Sequence, residues 1–580
     1  SIASQAITDN GTLALNRSDN VTLGAAISGS GALNQNGSGT TTLTGNSTYS
    51  GPTAINAGTL QLGNGGTSGS IASQAITNNG TLTVNRSDAV TLGAAISGAG
   101  GLNQNGSGTT ILTGNSSYSG PTAINKGTLQ LGNGGTSGSI ANSSITDNGV
   151  LAVNRSDNVL FNQKISGTGA LIQNGSGVTT LAANNTYSGP TTINAGTLQL
   201  GNGGTTGWIT SQPIVNNGTL AINHSDDVVI SQLMSGSGAF NQNGPGKITL
   251  LADNTYSGPT TINAGTLQLG NGGTTGSIAS QAITDNGTLA INHRDNVTLN
   301  QAISGTGALN QNGSGITTLT GNSSYSGPTT INAGTLQLGD GGTSGSIASQ
   351  AITDNGTLAV NRRDDVTLGA VISGTGALNK NGIGTTTLTG NSTYSGPTAI
   401  NAGTLQLGNG GTSGSIASQA ITDNGTLAVN RSDNVTLNQA ISGIGALHQN
   451  GSGTTTLTAN NSYSGRTVIN KGVLQLGNGG TSGSIASQAI ADNGTLALNR
   501  SDDVTLGALV SGTGGLDQNG SGTTTLTGNN SYSGPTSINK GTLQLGNGGT
   551  SGSIASQAIT DNGTLALNRS DDVTLGAAIS

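Results

Sequence analysis

The run Ser1-Ile2-Ala3-Ser4-Gln5-Ala6-Ile7-Thr8 returns at Ser70, and the same boundary falls at Ser139, Trp208, Ser277, Ser346, Ser415, Ser484 and Ser553. These starts are evenly spaced, a 69-residue period with no insertion or deletion. The repeats are therefore 1–69, 70–138, 139–207, 208–276, 277–345, 346–414, 415–483 and 484–552, with a partial ninth at 553–580. A chain that drifts in sequence but never in length is held to a geometric register. Glycine contributes 101 of the 580 residues, a composition that by itself would suit disorder. Disordered sequence has no reason to keep a period, yet the diverged third and fourth repeats keep it. We expect residues 1–580 to form one continuous β-solenoid with no linker and no second domain.

Within a repeat, glycines introduce short alternating runs. In the first repeat these are Gly11-Thr12-Leu13-Ala14-Leu15, Gly31-Ala32-Leu33-Asn34-Gln35 and Gly58-Thr59-Leu60-Gln61-Leu62, and Gly80 opens the next. Val21-Thr22-Leu23, Thr40-Thr41-Thr42-Leu43-Thr44 and Thr53-Ala54-Ile55-Asn56 lie between them. Period-2 alternation of Val, Ile, Leu and Thr, punctuated by Asn-Gly and Gly-Asn-Gly-Gly, is strand and turn chemistry, and no helix start or stop signal interrupts it. The spacing predicts an all-β fold, a right-handed parallel β-helix with three rungs per 69-residue repeat, about 25 rungs in all. Leu13, Leu15, Leu60 and Leu62 then face the bore, and Thr59 and Gln61 face water. An array of small β-sandwiches is the other candidate, but a 69-residue unit with so few large apolar side chains makes a weak independent core.

Composition narrows function. Charged residues are 7% of the chain, its 23 acids are all aspartates, and the net charge is −7. Such a chain has no basic stripe for phosphates, so nucleic acid is not an expected partner. No apolar run reaches the roughly 20 residues of a membrane span. The absence of cysteine excludes disulfides and thiolate-bound metals.

The segment Asn46-Ser47-Thr48-Tyr49-Ser50-Gly51-Pro52-Thr53-Ala54-Ile55-Asn56-Ala57-Gly58-Thr59-Leu60-Gln61-Leu62-Gly63 recurs once in each of the eight full repeats. It resembles the passenger-associated repeat of bacterial autotransporters, also called the autotransporter-associated β-strand repeat. Departures are few: Arg466 stands where proline is expected, and Val473 where threonine is. The resemblance implies an exported passenger, extracellular or at the cell surface of a Gram-negative bacterium. The sequence shows neither the signal peptide nor the C-terminal membrane barrel of such proteins, so a processed passenger or a segment of a longer one is expected. The array also begins and stops without a capping element, which suggests a longer rod or chains that continue one another head to tail.

Five groups of residues could carry chemistry. Tyr49, Tyr118, Tyr187, Tyr256, Tyr325, Tyr394, Tyr463 and Tyr532 recur once per repeat, either as a row of sugar-binding platforms or, the favoured reading, as loop anchors. Asp19 recurs as Asp88, Asp157, Asp226, Asp295, Asp364, Asp433, Asp502 and Asp571, with a second acid at Asp227, Asp365, Asp503 and Asp572. Calcium wants six to eight oxygens and the calcium β-roll nonapeptide is missing, so an Asx turn is favoured over a calcium column. His224 and His293 replace the arginine of position 17, His448 replaces Asn34, and all three read as drift on a solvated turn. Lys164 and Lys247 replace small residues, while Phe161, Met234 and Phe240 fall at core positions. Trp208 reads as a local packing change rather than a binding residue.

An active site must break repeat symmetry, because unlike groups have to converge. No such set emerges, so we expect no catalytic, cofactor-binding or metal site and no enzyme. The reading is a non-enzymatic stalk or extracellular filament segment that self-associates head to tail or laterally. An adhesin binding glycans, matrix or host protein through its faces is the first alternative, and a β-helical polysaccharide enzyme the second.

Overall fold

A computed structural model describes residues 4–141 and 144–580; Ser1, Ile2 and Ala3 of the opening motif lie outside it. Every regular element among the described residues is a strand, and the paired strands run parallel, stacking into a β-solenoid of about 29 turns. Among the described residues no helix is long and apolar enough to cross a membrane. The chain falls into two compact units, Ser1–Asn271 with Thr275–Thr288, and Gly272–Thr274 with Leu289–Ser580.

Eight strands make up the first repeat: β1 (Ile7–Thr8), β2 (Thr12–Leu15), β3 (Val21–Leu23), β4 (Ile27–Ser28), β5 (Ala32–Gln35), β6 (Thr40–Leu43), β7 (Thr53–Ile55) and β8 (Thr59–Leu62). In β5, β6 and β8 buried and half-buried residues alternate, as a pleated strand with one face on a core requires. Leu33, Leu43, Ile55, Leu60 and Leu62 are buried, and Thr59 and Gln61 lie half-exposed outside them. Leu82, Leu102 and Leu129 repeat that burial higher in the stack. Phe161, Met234 and Phe240 take the core positions expected of them.

The register sets the length of a coil. In the first unit Val21 pairs with Thr41, Thr41 with Leu60, and Leu60 with Leu82. The column continues through Leu102, Thr122, Ile145 and Ile165. Beyond the strands, Thr186 donates to the Ile165 carbonyl and Asn185 to that of Trp208, and Ile209 accepts from Gln232 just past Val228. Val228 is Val21 three repeats later. Ten coils therefore consume three repeats, and the same residue in the next repeat stands a third of a turn further round. The second unit repeats the sequence of steps from Val297 through Thr317, Leu336, Leu358, Leu378, Thr398 and Ile421 to Ile441.

The fold class is thus the expected solenoid, but its coils are shorter than three per repeat would make them. The physical reason is that a coil closes wherever backbone partners align. The shortest step of this column carries Thr41 to Leu60, and the longest carries Thr122 to Ile145. Glycine spacing marks turns rather than whole rungs. Gly58 shows what the turns demand. Its φ is +63°, and a Cβ there would lie 2.4 Å from the carbonyl oxygens of Gly37 and Gly39 in the coil below.

Candidate functional site

The turn that reads Asn-Arg-Ser-Asp in most repeats builds an elaborate polar arrangement wherever it carries the arginine of Arg86, Arg155, Arg362, Arg431 and Arg500. Arg86 donates from Nε to Asp88 Oδ1 at 2.9 Å and from Nη2 to Oδ2 at 2.8 Å, a two-point fork between residues only two apart. The same guanidinium donates to the Thr67 carbonyl at 2.6 Å and to Asn46 Oδ1 at 3.2 Å. Asn46 Oδ1 also accepts from the Gly69 amide at 2.9 Å. One arginine thus ties the Gly-Asn-Gly-Gly loop, its own turn and the Asn46 corner together. Arg155, Arg362, Arg431 and Arg500 repeat all of these contacts. The guanidinium beside Asp88, Asp157, Asp364, Asp433 and Asp502 holds each carboxyl below its ordinary range.

The expected Asx turn is therefore not the main work of the Asp19 position: the carboxylate is taken by the arginine side chain. The second acid does something else again. Asp365 and Asp503 accept from the amides of Thr385 and Thr523 one coil on, at 2.8 and 2.9 Å, as Asn20 does from Thr40 at 3.0 Å. Asp227 pairs with Lys247 at 3.3 Å. Among the described residues no group of three or more potential metal ligands converges.

The tyrosines are not exposed platforms; each ring is buried at its Tyr-Ser-Gly corner. All eight are buried, and the Tyr118 hydroxyl lies 2.7 Å from Thr122 Oγ1 inside the bore. Burial pushes the Tyr118 phenol up to about 12. A buried phenol needs a partner, and the threonine four residues on supplies it. Sequence reasoning saw the periodicity but could not see that the Tyr-Ser-Gly-Pro corner folds inward.

His224 and His293 are also buried, contrary to the solvated turn expected of them. Each keeps the arginine's partner, with Nδ1 3.1 Å from Asp226 Oδ1 and 3.2 Å from Asp295 Oδ1. Trp208 lies against the His224 ring, centroids 4.9 Å apart, which is the packing role read for it. Lys164 is exposed. His448 is half-buried between Ala428 and Val468, its pKa lowered by burial and by Arg466.

Two buried features escaped the sequence. Gln35 turns inward, donating to the Gly37 and Gly39 carbonyls at 2.8 and 3.2 Å and accepting from Thr41 Oγ1 at 2.6 Å. Lys380 replaces it in the sixth repeat, where its ammonium donates to the carbonyls of Gly382 and Ala402. Burial lowers the Lys380 amine to about 8. The second feature is a recurrent aspartate in Asp-Asn-Gly. Asp147, Asp354, Asp423 and Asp492 are fully buried, and burial pushes each carboxyl up to about 6. The signal was available, since Asp ahead of Asn-Gly recurs at one phase, but turn chemistry explained it too readily.

Comparison with known proteins agrees with this architecture. The passenger-associated-transport-repeat family matches residues 33–62, 102–131, 171–200, 240–269, 309–338, 378–407, 447–476 and 516–545. Each match runs from the β5 position to the β8 position. A curated relative, the adhesin BmaC autotransporter of Brucella suis biovar 1 (strain 1330), is 34% identical over 689 aligned residues covering 96% of this chain. The chain spans 19% of that relative's length. No solved structure matches. Eight passenger-associated transport repeats in a chain that resembles an autotransporter along nearly all its length identify it as an autotransporter passenger segment, secreted to the surface of a Gram-negative bacterium.

Proposed function

We propose that this segment is a non-enzymatic stalk or filament section, a single solenoid running through residues 1–580, whose work is to turn chain length into reach. The observation that carries the reading is the fate of the recurrent polar residues. Arg86 and Asp88, Tyr118 and Thr122, and Gln35 and Thr41 are each spent on holding coils and turns together. What remains outward on the strands is largely uncharged, polar as in Thr22, Thr42, Gln61 and Asn103 of one column, with scattered apolar side chains such as Leu160 and Val229. Stacked coils gain about 4.8 Å each, so the chain would extend by length alone. Rotary-shadowed electron microscopy of the 580-residue chain tests this: stiff rods of uniform width support it, and flexible beads or compact particles overturn it.

An adhesive role is the second reading, favoured by the relative's description as an adhesin. Two isolated exposed side chains also favour it, Ile383 at 74% and Ile444 at 73% exposure, on turns where most other repeats carry serine or threonine. Its partners would be surface glycans, matrix or host protein. Saturable binding of the isolated segment to a glycan array or immobilised matrix, lost in I383S/I444S, would establish it. The same rods that adhere to nothing and line up side by side would favour the filament.

A further inference from the structure

The position of Asp147 carries the same backbone role in every repeat but two different side chains. In the second and fourth repeats it is Asn78 and Asn216. Each of these amides donates Nδ2 to a carbonyl of the next coil, Asn78 to Gly101 at 2.9 Å and Asn216 to Ala239 at 2.8 Å. Asp147, Asp354, Asp423 and Asp492 occupy the same place with 0% exposure. The equivalent carbonyls belong to Ala170, Ala377, Ala446 and Gly515. A carboxylate has no proton to offer them; a carboxylic acid does.

The surroundings favour the acid. Asp147 Oδ1 accepts from the Gly149 amide at 3.0 Å; the Oδ2 atoms of Asp147 and Asp492 are buried without a hydrogen bond, while those of Asp354 and Asp423 each accept from one backbone amide, of Leu358 and Leu427, at 3.2 Å. Above the group sits Gly169, where a Cβ would lie 2.3 Å from Asp147 Oδ1, so the carboxyl is pressed directly beneath backbone. Ile124 lies under it in the coil below. The titratable groups that face the four carboxyls are Tyr187, Tyr394, Tyr463 and Tyr532, and for Asp492 also Asp517. None is a cation, and the phenols, themselves raised by burial, stay neutral. A buried carboxylate with backbone amides but no cation to compensate it is costly, whereas its neutral form can still accept from those amides and completes the bond that asparagine makes.

We propose that these four aspartates are carried as neutral carboxylic acids donating to the carbonyl of the next coil, so that the solenoid grips more tightly in mildly acid surroundings and loosens as they ionise. The sign follows from proton counting. Their folded-state affinity for a proton exceeds that of an unfolded aspartate, so the folded chain binds more protons between about pH 4 and 6 and loses stability as pH rises through that window. Above it the penalty persists undiminished. The device is built into the coil-to-coil contact itself.

The test uses the full 580-residue chain and D147N/D354N/D423N/D492N, a substitution the fold already tolerates at Asn78 and Asn216. Melting temperature is followed from pH 4.5 to 8. The natural chain should melt progressively lower as pH rises toward 7, while the variant melts higher than the natural chain at pH 7.5 and keeps a nearly level profile. Carboxyl carbon NMR of aspartate-labelled protein should show four resonances titrating about two pH units above the ordinary aspartate value, absent from the variant. A natural chain whose stability is level or rising from pH 4.5 to 7, or carboxyl resonances that all titrate near the ordinary aspartate value of about 3.9, overturns the proposal.

Discussion

Arg86 and Asp88, two residues apart, meet through two of the three guanidinium nitrogens and both carboxylate oxygens, while the arginine side chain is buried and the aspartate remains partly open to solvent. The pair holds the arginine in a pose from which its third nitrogen and the shared Nη2 reach Asn46 and Thr67. The aspartate is thus an orienter, and the arginine is the clasp.

Removing the clasp should loosen one corner of one coil. R86A should cost about 1.5–3 kcal/mol, the range for hydrogen bonds to a charged group, and should speed exchange of the Gly65 and Gly69 amides. R86K should not restore protection, because an ammonium cannot form the fork. Amide exchange by mass spectrometry reads both, and an R86K chain as protected as the natural one would show that charge alone suffices.

The aliphatic column should be intolerant of charge. Leu198 is fully buried, paired with Thr179 below and Leu220 above. L198D places a carboxylate there with no partner and should destabilise the surrounding coils by several kcal/mol. Exchange across 178–181 and 219–222 should accelerate strongly, and unchanged protection would mean that Leu198 does not face the core.

The tyrosine hydroxyl and the tyrosine ring should separate cleanly. Y118F removes the bond to Thr122 and leaves that hydroxyl buried, at a cost of about 1–2 kcal/mol. Y118A also empties the corner and should cost about 3–5 kcal/mol. Chemical denaturation gives both values. Equal effects of the two substitutions would mean that the ring contributes nothing beyond its hydroxyl.

Lys380 should be a stabilising site to mutate. Thr386 Oγ1 is left without the partner that Gln35 offers Thr41. K380Q restores that pairing and removes a buried ammonium, for a gain of roughly 2 kcal/mol at pH 7. The folded amine, lowered to about 8, binds fewer protons than the unfolded lysine. The natural chain should therefore gain stability as pH rises from about 8 to 10.4, and K380Q should lack that rise. Melting curves of both proteins across that range are the check.

The 69-residue period, the strand alternation and the inward face of Leu15, Leu60 and Leu62 were all legible in the sequence, because a solenoid writes its geometry into every repeat. So was the repeat that ties the chain to autotransporters. Each rests on local pattern, which needs only neighbouring residues to be read. The rest required partners a whole coil away. That one coil closes from Thr41 to Leu60 and another from Thr122 to Ile145 is a matter of which backbone groups align. That registry alone places successive repeats a third of a turn apart. It also turns Tyr118 inward onto Thr122, seats Asp147 beneath Gly169, and brings Arg86 to Asn46 across two coils. Polar side chains at turns look alike in sequence whether they meet water or the next coil, and stacking decides between the two.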